Sequence, residues 1–208
     1  MLHKFYDSDK NLFPLLGEAG QGKTNQLCYW VEQHIEHKEG VLIFNSSDFS
    51  VMSLDSRIRN IFGFSKRRDI SRLISDMHCK AKQNNRYIYV FFDAINECLS
   101  YFDNADEPGP LALYNELKRI FIQEEYTNIK LLFTCRNYSW KTIFSKTAEI
   151  DGEKFYYGEN RDLQVMRGFT DEELHKAYDV YSDLYQMKTS FCNLSRMAHV
   201  RLKDPLVL

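Results

Sequence analysis

Leu12-Phe-Pro-Leu-Leu16 runs straight into Gly17-Glu18-Ala19-Gly20-Gln21-Gly22-Lys23-Thr24, and this join decides the fold. The eight residues match G-x-x-x-x-G-K-[ST] at every fixed position. At ordinary residue frequencies a chance match in a chain this long is about 1% likely. Context lowers that further, because an apolar strand precedes the loop and a helical pattern follows it, as such a loop requires. Each residue type has a chemical reason. Backbone N–H groups must converge on a phosphate, and glycine lets the loop wrap that tightly. Lys23 supplies a mobile point charge. Thr24 offers a hydroxyl to a divalent cation, and the helix starting there adds its positive end.

Short apolar runs alternate with helical patterns along the chain. The runs are 12–16, Val41 to Phe44, Tyr87 to Phe92, Lys130 to Thr134 and Leu163 to Met166. Most lack polar alternation, as strands buried on both faces should. Between them, Leu27, Val31 and Ile35 repeat every fourth residue, with Gly40 as the expected helix stop. Ile70, Leu73, Ile74, Met77 and Ala81 form a second stripe, and Leu113, Tyr114, Leu117, Ile120 and Phe121 a third. Strand alternating with helix predicts an α/β fold with a mostly parallel five-stranded sheet flanked by helices. After Gly168 the pattern turns helical. Thr170 and Glu173 form a capping box, Leu174, Ala177, Tyr178, Tyr181 and Tyr185 follow at helical spacing, and a second helical stretch covers Phe191 to Leu202. The expected division is therefore a core over 1–168 and the start of a helical lid over 169–208. The apolar end, Pro205 to Leu208, reads as the cut edge of a longer protein.

Composition narrows the function classes. The chain has 208 residues, 44% hydrophobic and 27% charged, the profile of a soluble globular protein. With 27 basic and 29 acidic side chains it carries a formal charge of −2, unlike the basic footprint of a nucleic-acid-coating protein. No apolar run reaches the ~18 residues of a membrane span, and the N-terminus lacks a signal-peptide core. The five cysteines are odd in number and scattered, which fits reduced thiols and a cytoplasmic location better than disulfides or a zinc site. The acidic residues Asp103, Asp106 and Glu107 read as a solvated loop, and Lys66 to Arg68 as an exposed lead into a helix.

Two further strand ends carry chemistry. Tyr87 to Phe92 ends in Asp93-Ala-Ile-Asn-Glu97. An acid at the end of a buried strand is costly without a cation, so Asp93 is the candidate Mg²⁺ residue. Glu97, four positions on, is placed to deprotonate an attacking water, or else is a helix-start carboxylate without a chemical role. The guanine signatures D-x-x-G and N-K-x-D are missing after this strand; Asn45-Ser-Ser-Asp48 lacks the lysine and lies too early. Adenine is favoured. Finally, Lys130-Leu-Leu-Phe-Thr-Cys-Arg136-Asn137 ends in Thr134 and Arg136, a cationic strand end able to sit beside the phosphate loop.

Together these signatures resemble the STAND class of P-loop NTPases, which includes the NACHT and NB-ARC switch domains, over nearly the whole chain. The wording EAGQGKT and DAINE is similar to prokaryotic antiphage-defence members. The resemblance implies that Gly17, Glu18, Ala19, Gly20, Gln21, Gly22, Lys23 and Thr24 hold ATP or ADP, with Thr24 and Asp93 on Mg²⁺. It makes Glu97 the catalytic acid of a D-[GA]-x-D-E pattern and Arg136 a sensor of the γ-phosphate, with Lys23 completing the catalytic set. Asn96 stands where Asp is usual, which bears on the hydrolysis rate more than on binding. Pro205 matches the proline of a Gly-x-Pro turn near the adenine, although Lys203 occupies the glycine position.

The function expected is an ATP-binding, slowly hydrolysing switch in which nucleotide controls oligomeric activation. Self-association of the full-length protein, an activating ligand such as a viral or stress-derived protein, and effector and sensor domains outside this chain are implied. Neither a membrane nor nucleic acid is an expected partner of this domain. The rivals are a nucleoside or nucleotide kinase, an AAA-type nucleic-acid ATPase, and a module that binds nucleotide without turnover.

Overall fold

The computed structural model describes residues 2–49, 52–64, 69–99, 101, 108–146, 151–157 and 163–204. Lys66 to Arg68, the acidic residues 103, 106 and 107, and Pro205 to Leu208 lie outside them.

Five parallel strands form one sheet: β1 (Leu12–Leu16), β2 (Gly40–Asn45), β3 (Ile88–Asp93), β4 (Ile129–Cys135) and β5 (Gln164–Val165), in the order β2-β3-β4-β1-β5. The short helix α1 (Leu2–Tyr6) precedes β1. The crossovers are α2 (Lys23–Glu36), α3 (Leu54–Phe62), α4 (Ile70–Gln83) and α5 (Gly109–Phe121). Side chains alternate between two packed layers, which is why β1, β3 and β4 are buried along their whole length. Leu12, Leu16, Val90, Phe92, Leu131 and Phe133 face the layer containing α3, α4 and α5. Phe13, Leu15, Tyr89, Phe91 and Leu132 face α1 and α2. The α5 stripe is buried as the periodicity predicts; on α4 Ile70, Ile74 and Ala81 are buried, Leu73 and Met77 are half-buried, and His78 is buried beside them.

Helix α2 differs from expectation. Ile35 is 59% exposed, and His34 is buried in its place, stacked on Tyr89 with centroids 3.8 Å apart. The reason is helical drift: two four-residue steps rotate about 80° away from Leu27, whereas seven residues rotate only about 20°. Gly40 is not the helix stop. It opens β2 opposite Ile88, and Lys38 takes the left-handed conformation (φ 56°) after the helix ends.

Beyond β5 come α6 (Asp171–Tyr185) and α7 (Arg196–Leu202). The Thr170–Glu173 capping box is formed. Only Leu174 and Tyr178 of the α6 stripe are buried; Tyr185 is exposed and stacks on Tyr181. At the entry to this segment, a side chain on Gly168 would meet the Lys203 carbonyl at 2.4 Å, and Phe169 N–H donates to that same carbonyl. Among the described residues no helix is long and apolar enough to cross a membrane. All five cysteines are free, with burial pushing the Cys135 thiol up to about 12.

The strand order matters most for the site. Insertion of β4 between β1 and β3 brings three strand ends to one crevice, where open α/β sheets bind ligands.

Candidate functional site

The loop after β1 turns through two left-handed glycines, Gly20 (φ 73°) and Gly22 (φ 79°), conformations that other residues adopt only with strain. Gly22 caps α2 without a side chain, so the first N–H groups of the helix have no side-chain cap from it. The loop is closed by Gln21, whose Oε1 accepts from Glu18 N–H at 2.7 Å. A Cβ on Gly17 would lie 2.8 Å from that oxygen. Lys23 folds over the loop and donates from Nζ to the carbonyls of Gly17 (2.9 Å) and Glu18 (2.6 Å). Burial first, and then the nearby Arg136 charge, lower its pKa, while Asp93, Cys135 and Glu18 oppose the shift.

Asp93 is 6% exposed, and both carboxylate oxygens accept hydrogen bonds. Thr24 Oγ1 donates to Oδ2 at 2.8 Å, and Thr134 Oγ1 donates to Oδ1 at 2.6 Å. Thr134 Oγ1 in turn accepts from Ala94 N–H at 2.7 Å. That bond helps hold Ala94 in a left-handed conformation (φ 54°) that an alanine rarely takes. The reversal starts a 3₁₀ turn, Ile95–Glu97. This turn carries Glu97 to the cleft rim, where its Oε1 pairs with Arg136 Nη2 at 2.6 Å, both side chains half exposed. Asn137 Nδ2 donates to Glu18 Oε1 at 3.0 Å, joining the end of β4 to the phosphate loop.

These groups enclose a cleft of about 360 Å³. Ala19, Gly20, Gly22, Lys23, Thr24, Asp93, Glu97 and Arg136 line it, whereas Gly17, Glu18 and Gln21 build the loop behind. Pro205 lies outside the described residues. Thr134 and Asn96 also line it, and the structure adds Asn25, Asn45, Ser46 and Ala94. Asn45 stands opposite Asp93 in the β2–β3 register. A polar residue ending an apolar strand is the one sequence signal that marks it.

The donor set suits Mg²⁺. A hydroxyl and a carboxylate, both hard oxygen donors, converge at Thr24 and Asp93. Among the described residues no group of three or more His, Cys, Asp or Glu could hold a metal by itself. The cation would therefore come with phosphate oxygens and water, as Mg²⁺ commonly does.

No family model matches the sequence, and no curated protein does. Solved structures do. The Walker-type ATPase PABY2304 of Pyrococcus abyssi aligns at a TM-score of 0.56 and 11% identity, over 98% of this chain and 60% of that one. The ORC2 protein of Aeropyrum pernix, in ADPNP–ADP complexes, aligns at 0.56 and 14%, over 88% of this chain and 50% of that one. AMPPCP-bound DnaA from Aquifex aeolicus aligns at 0.50 and 10%, over 97% and 56%. The chain thus spans between 50% and 60% of the length of these structures. With a parallel sheet of this kind and a phosphate loop between β1 and α2, the chain has the fold of the P-loop ATPases.

Proposed function

We propose that this chain binds ATP with Mg²⁺ and hydrolyses it slowly, as the nucleotide-binding switch of a STAND-type signalling or antiviral-defence protein. The observation that carries the reading is the Thr24–Asp93–Thr134 bridge. It locks a carboxylate to the phosphate loop, with a cation (Lys23) on one side and an acid (Glu97) on the other.

In this reading the loop N–H groups and Lys23 hold the phosphates. The Lys23 ammonium exchanges its two carbonyl partners for phosphate oxygens, which carry full negative charge and make stronger charge-assisted bonds. Thr24 and Asp93 hold Mg²⁺, which supplies neutralisation of charge on the phosphate oxygens. Glu97 accepts the proton of a water whose oxygen attacks the γ-phosphorus, while the bond to the β–γ bridging oxygen breaks and ADP leaves. Arg136, at the end of the strand next to β1, reads whether a γ-phosphate is present. ATP then shifts the protein between states only through its differential affinity for them. Self-association on activation, an activator such as a viral or stress-derived protein, and effector and sensor domains elsewhere in a longer protein belong to the same proposal.

A second reading, an AAA-type ATPase acting on nucleic acid, draws on the likeness to ORC2 and DnaA. The two readings part in one experiment: phosphate release measured over a protein concentration series, with and without DNA. The switch reading predicts turnover well below ~1 s⁻¹ that DNA leaves unchanged. Stimulation by DNA of about tenfold or more favours the AAA-type reading, and fast, concentration-independent turnover without DNA contradicts the switch.

A further inference from the structure

Arg136 stands one residue beyond the sheet. The β1–β4 ladder ends at Leu16 opposite Cys135, and the β3–β4 ladder at Phe92 opposite Phe133. The Arg136 backbone N–H therefore has no strand to pair with. Asn96 supplies its partner: the side-chain Oδ1 accepts that N–H at 3.0 Å. Asn96 is 7% exposed, so its carboxamide has been taken out of water to make this contact. The Arg136 carbonyl is fixed as well, accepting from Trp140 N–H at 2.9 Å in the helical turn that follows. The backbone is thus held at both ends of one residue, while the guanidinium reaches Glu97.

We infer that Asn96 is a positioning residue: its buried carboxamide pins the backbone of Arg136, and this pivot aims the guanidinium between Glu97 and the phosphate-binding cleft. The inference rests on the ATP reading above and deepens it. The chemistry accounts for an amide at position 96. Binding one backbone N–H needs a side-chain acceptor oxygen of this reach. The neighbouring contacts divide the labour. Thr134 fixes the Asp93 end of the turn, and Asn96 fixes its far end against β4, so metal-binding and phosphate-sensing groups move as one unit. A sensor with a loose pivot keeps its charge but loses its aim, which weakens recognition of the γ-phosphate while leaving the rest of the nucleotide bound.

The test is the ratio of affinities for AMPPNP and ADP, each with Mg²⁺, measured by titration calorimetry on this chain. Wild type prefers AMPPNP, and Arg136→Ala removes most of that preference. Asn96→Ala lowers the ratio about fivefold, the factor a single neutral hydrogen bond carries, while ADP affinity stays within about twofold. Asn96→Asp, which keeps the acceptor, retains the ratio. In an Arg136→Ala background, Asn96→Ala changes the ratio less than about twofold, because the two residues act through one contact. If Asn96→Ala abolishes ADP binding by unfolding the site, Asn96→Ser, whose oxygen is too short to reach, takes its place with the same expectation. An unchanged ratio in these variants, an equal loss with Arg136 already removed, or no effect of Arg136→Ala overturns the inference. Failure of wild type to bind either nucleotide overturns instead the ATP reading on which it rests.

Discussion

Thr24 and Asp93, 69 positions apart in the chain, meet through a 2.8 Å hydrogen bond from hydroxyl to carboxylate. This one contact joins the first turn of α2 to the end of β3. The carboxylate is buried, and its other oxygen is occupied by Thr134, so Asp93 has little freedom to turn away from the loop. In the proposed function Asp93 takes Mg²⁺, and a carboxylate already held in place spares the cost of ordering it when nucleotide arrives.

Asp93→Asn removes the negative charge but keeps the size and one acceptor oxygen. It should weaken MgATP binding by about tenfold or more and abolish the difference between titrations with Mg²⁺ and with EDTA. Retained Mg²⁺ dependence would show that another residue holds the cation.

Glu97→Gln should behave differently. Its side chain is half exposed, and the substitution keeps a polar partner for Arg136. ATP affinity should change little, while single-turnover phosphate release falls by about 10² or more. Normal hydrolysis in this variant would mean that Glu97 is a helix-start carboxylate without a chemical role.

Gly109, at the start of α5, is pressed against the backbone after Glu97. A Cβ there would lie 2.3 Å from the Cys98 carbonyl oxygen and 2.7 Å from that of Leu99. Backbone cannot give way cheaply, so Gly109→Ala should cost about 1–3 kcal/mol in thermal or urea unfolding. It should also slow phosphate release more than it weakens ADP binding, because the displaced segment carries Glu97 and not the phosphate loop.

Lys130 gives a pH test. Lys130 is 1% exposed, and its ammonium donates to the carbonyls of Phe5, Ser8 and Lys10, tying the N-terminal segment to β4. Burial lowers its pKa to about 8, against the raising pull of Asp9 and Asp7. Above that value the folded chain has shed a proton that the unfolded chain still holds. Stability from this group therefore rises between pH 8 and its unfolded value near 10.4. Wild type should gain on Lys130→Met by on the order of 2 kcal/mol between pH 8 and 10, read from paired urea unfolding curves. A pH-independent difference would show that the buried ammonium stays charged throughout.

The parts of the site that lie within one stretch of chain are legible in the sequence. Strand, loop and helix from Leu12 onward are contiguous, and the glycine positions and Lys23 follow from local backbone geometry. Asp93 and Glu97 are legible for the same reason, as an acid ending a buried strand and a second acid one turn later. What the sequence hides depends on strand order. Thr134 reaches Asp93, and Asn96 reaches the Arg136 backbone, only because β4 lies between β1 and β3, and no local pattern states that neighbourhood. Asn45 is hidden likewise, since its relation to Asp93 exists only in the β2–β3 register. The error at Ile35 is of another kind: a four-residue repeat approximates a helical face over one turn and leaves it over two.

The central claim, that the loop at 17–24 binds the phosphates of ATP through Lys23, is tested most directly by calorimetric titration of MgATP into the wild-type chain and into Lys23→Ala. Lys23 brings the one cationic side chain of the loop, and charge-assisted contacts to phosphate are the strong ones. Wild type should bind, and Lys23→Ala should bind at least about tenfold more weakly, a loss of ~1.4 kcal/mol. Equal affinity in the two proteins, or no binding by wild type, would contradict the account.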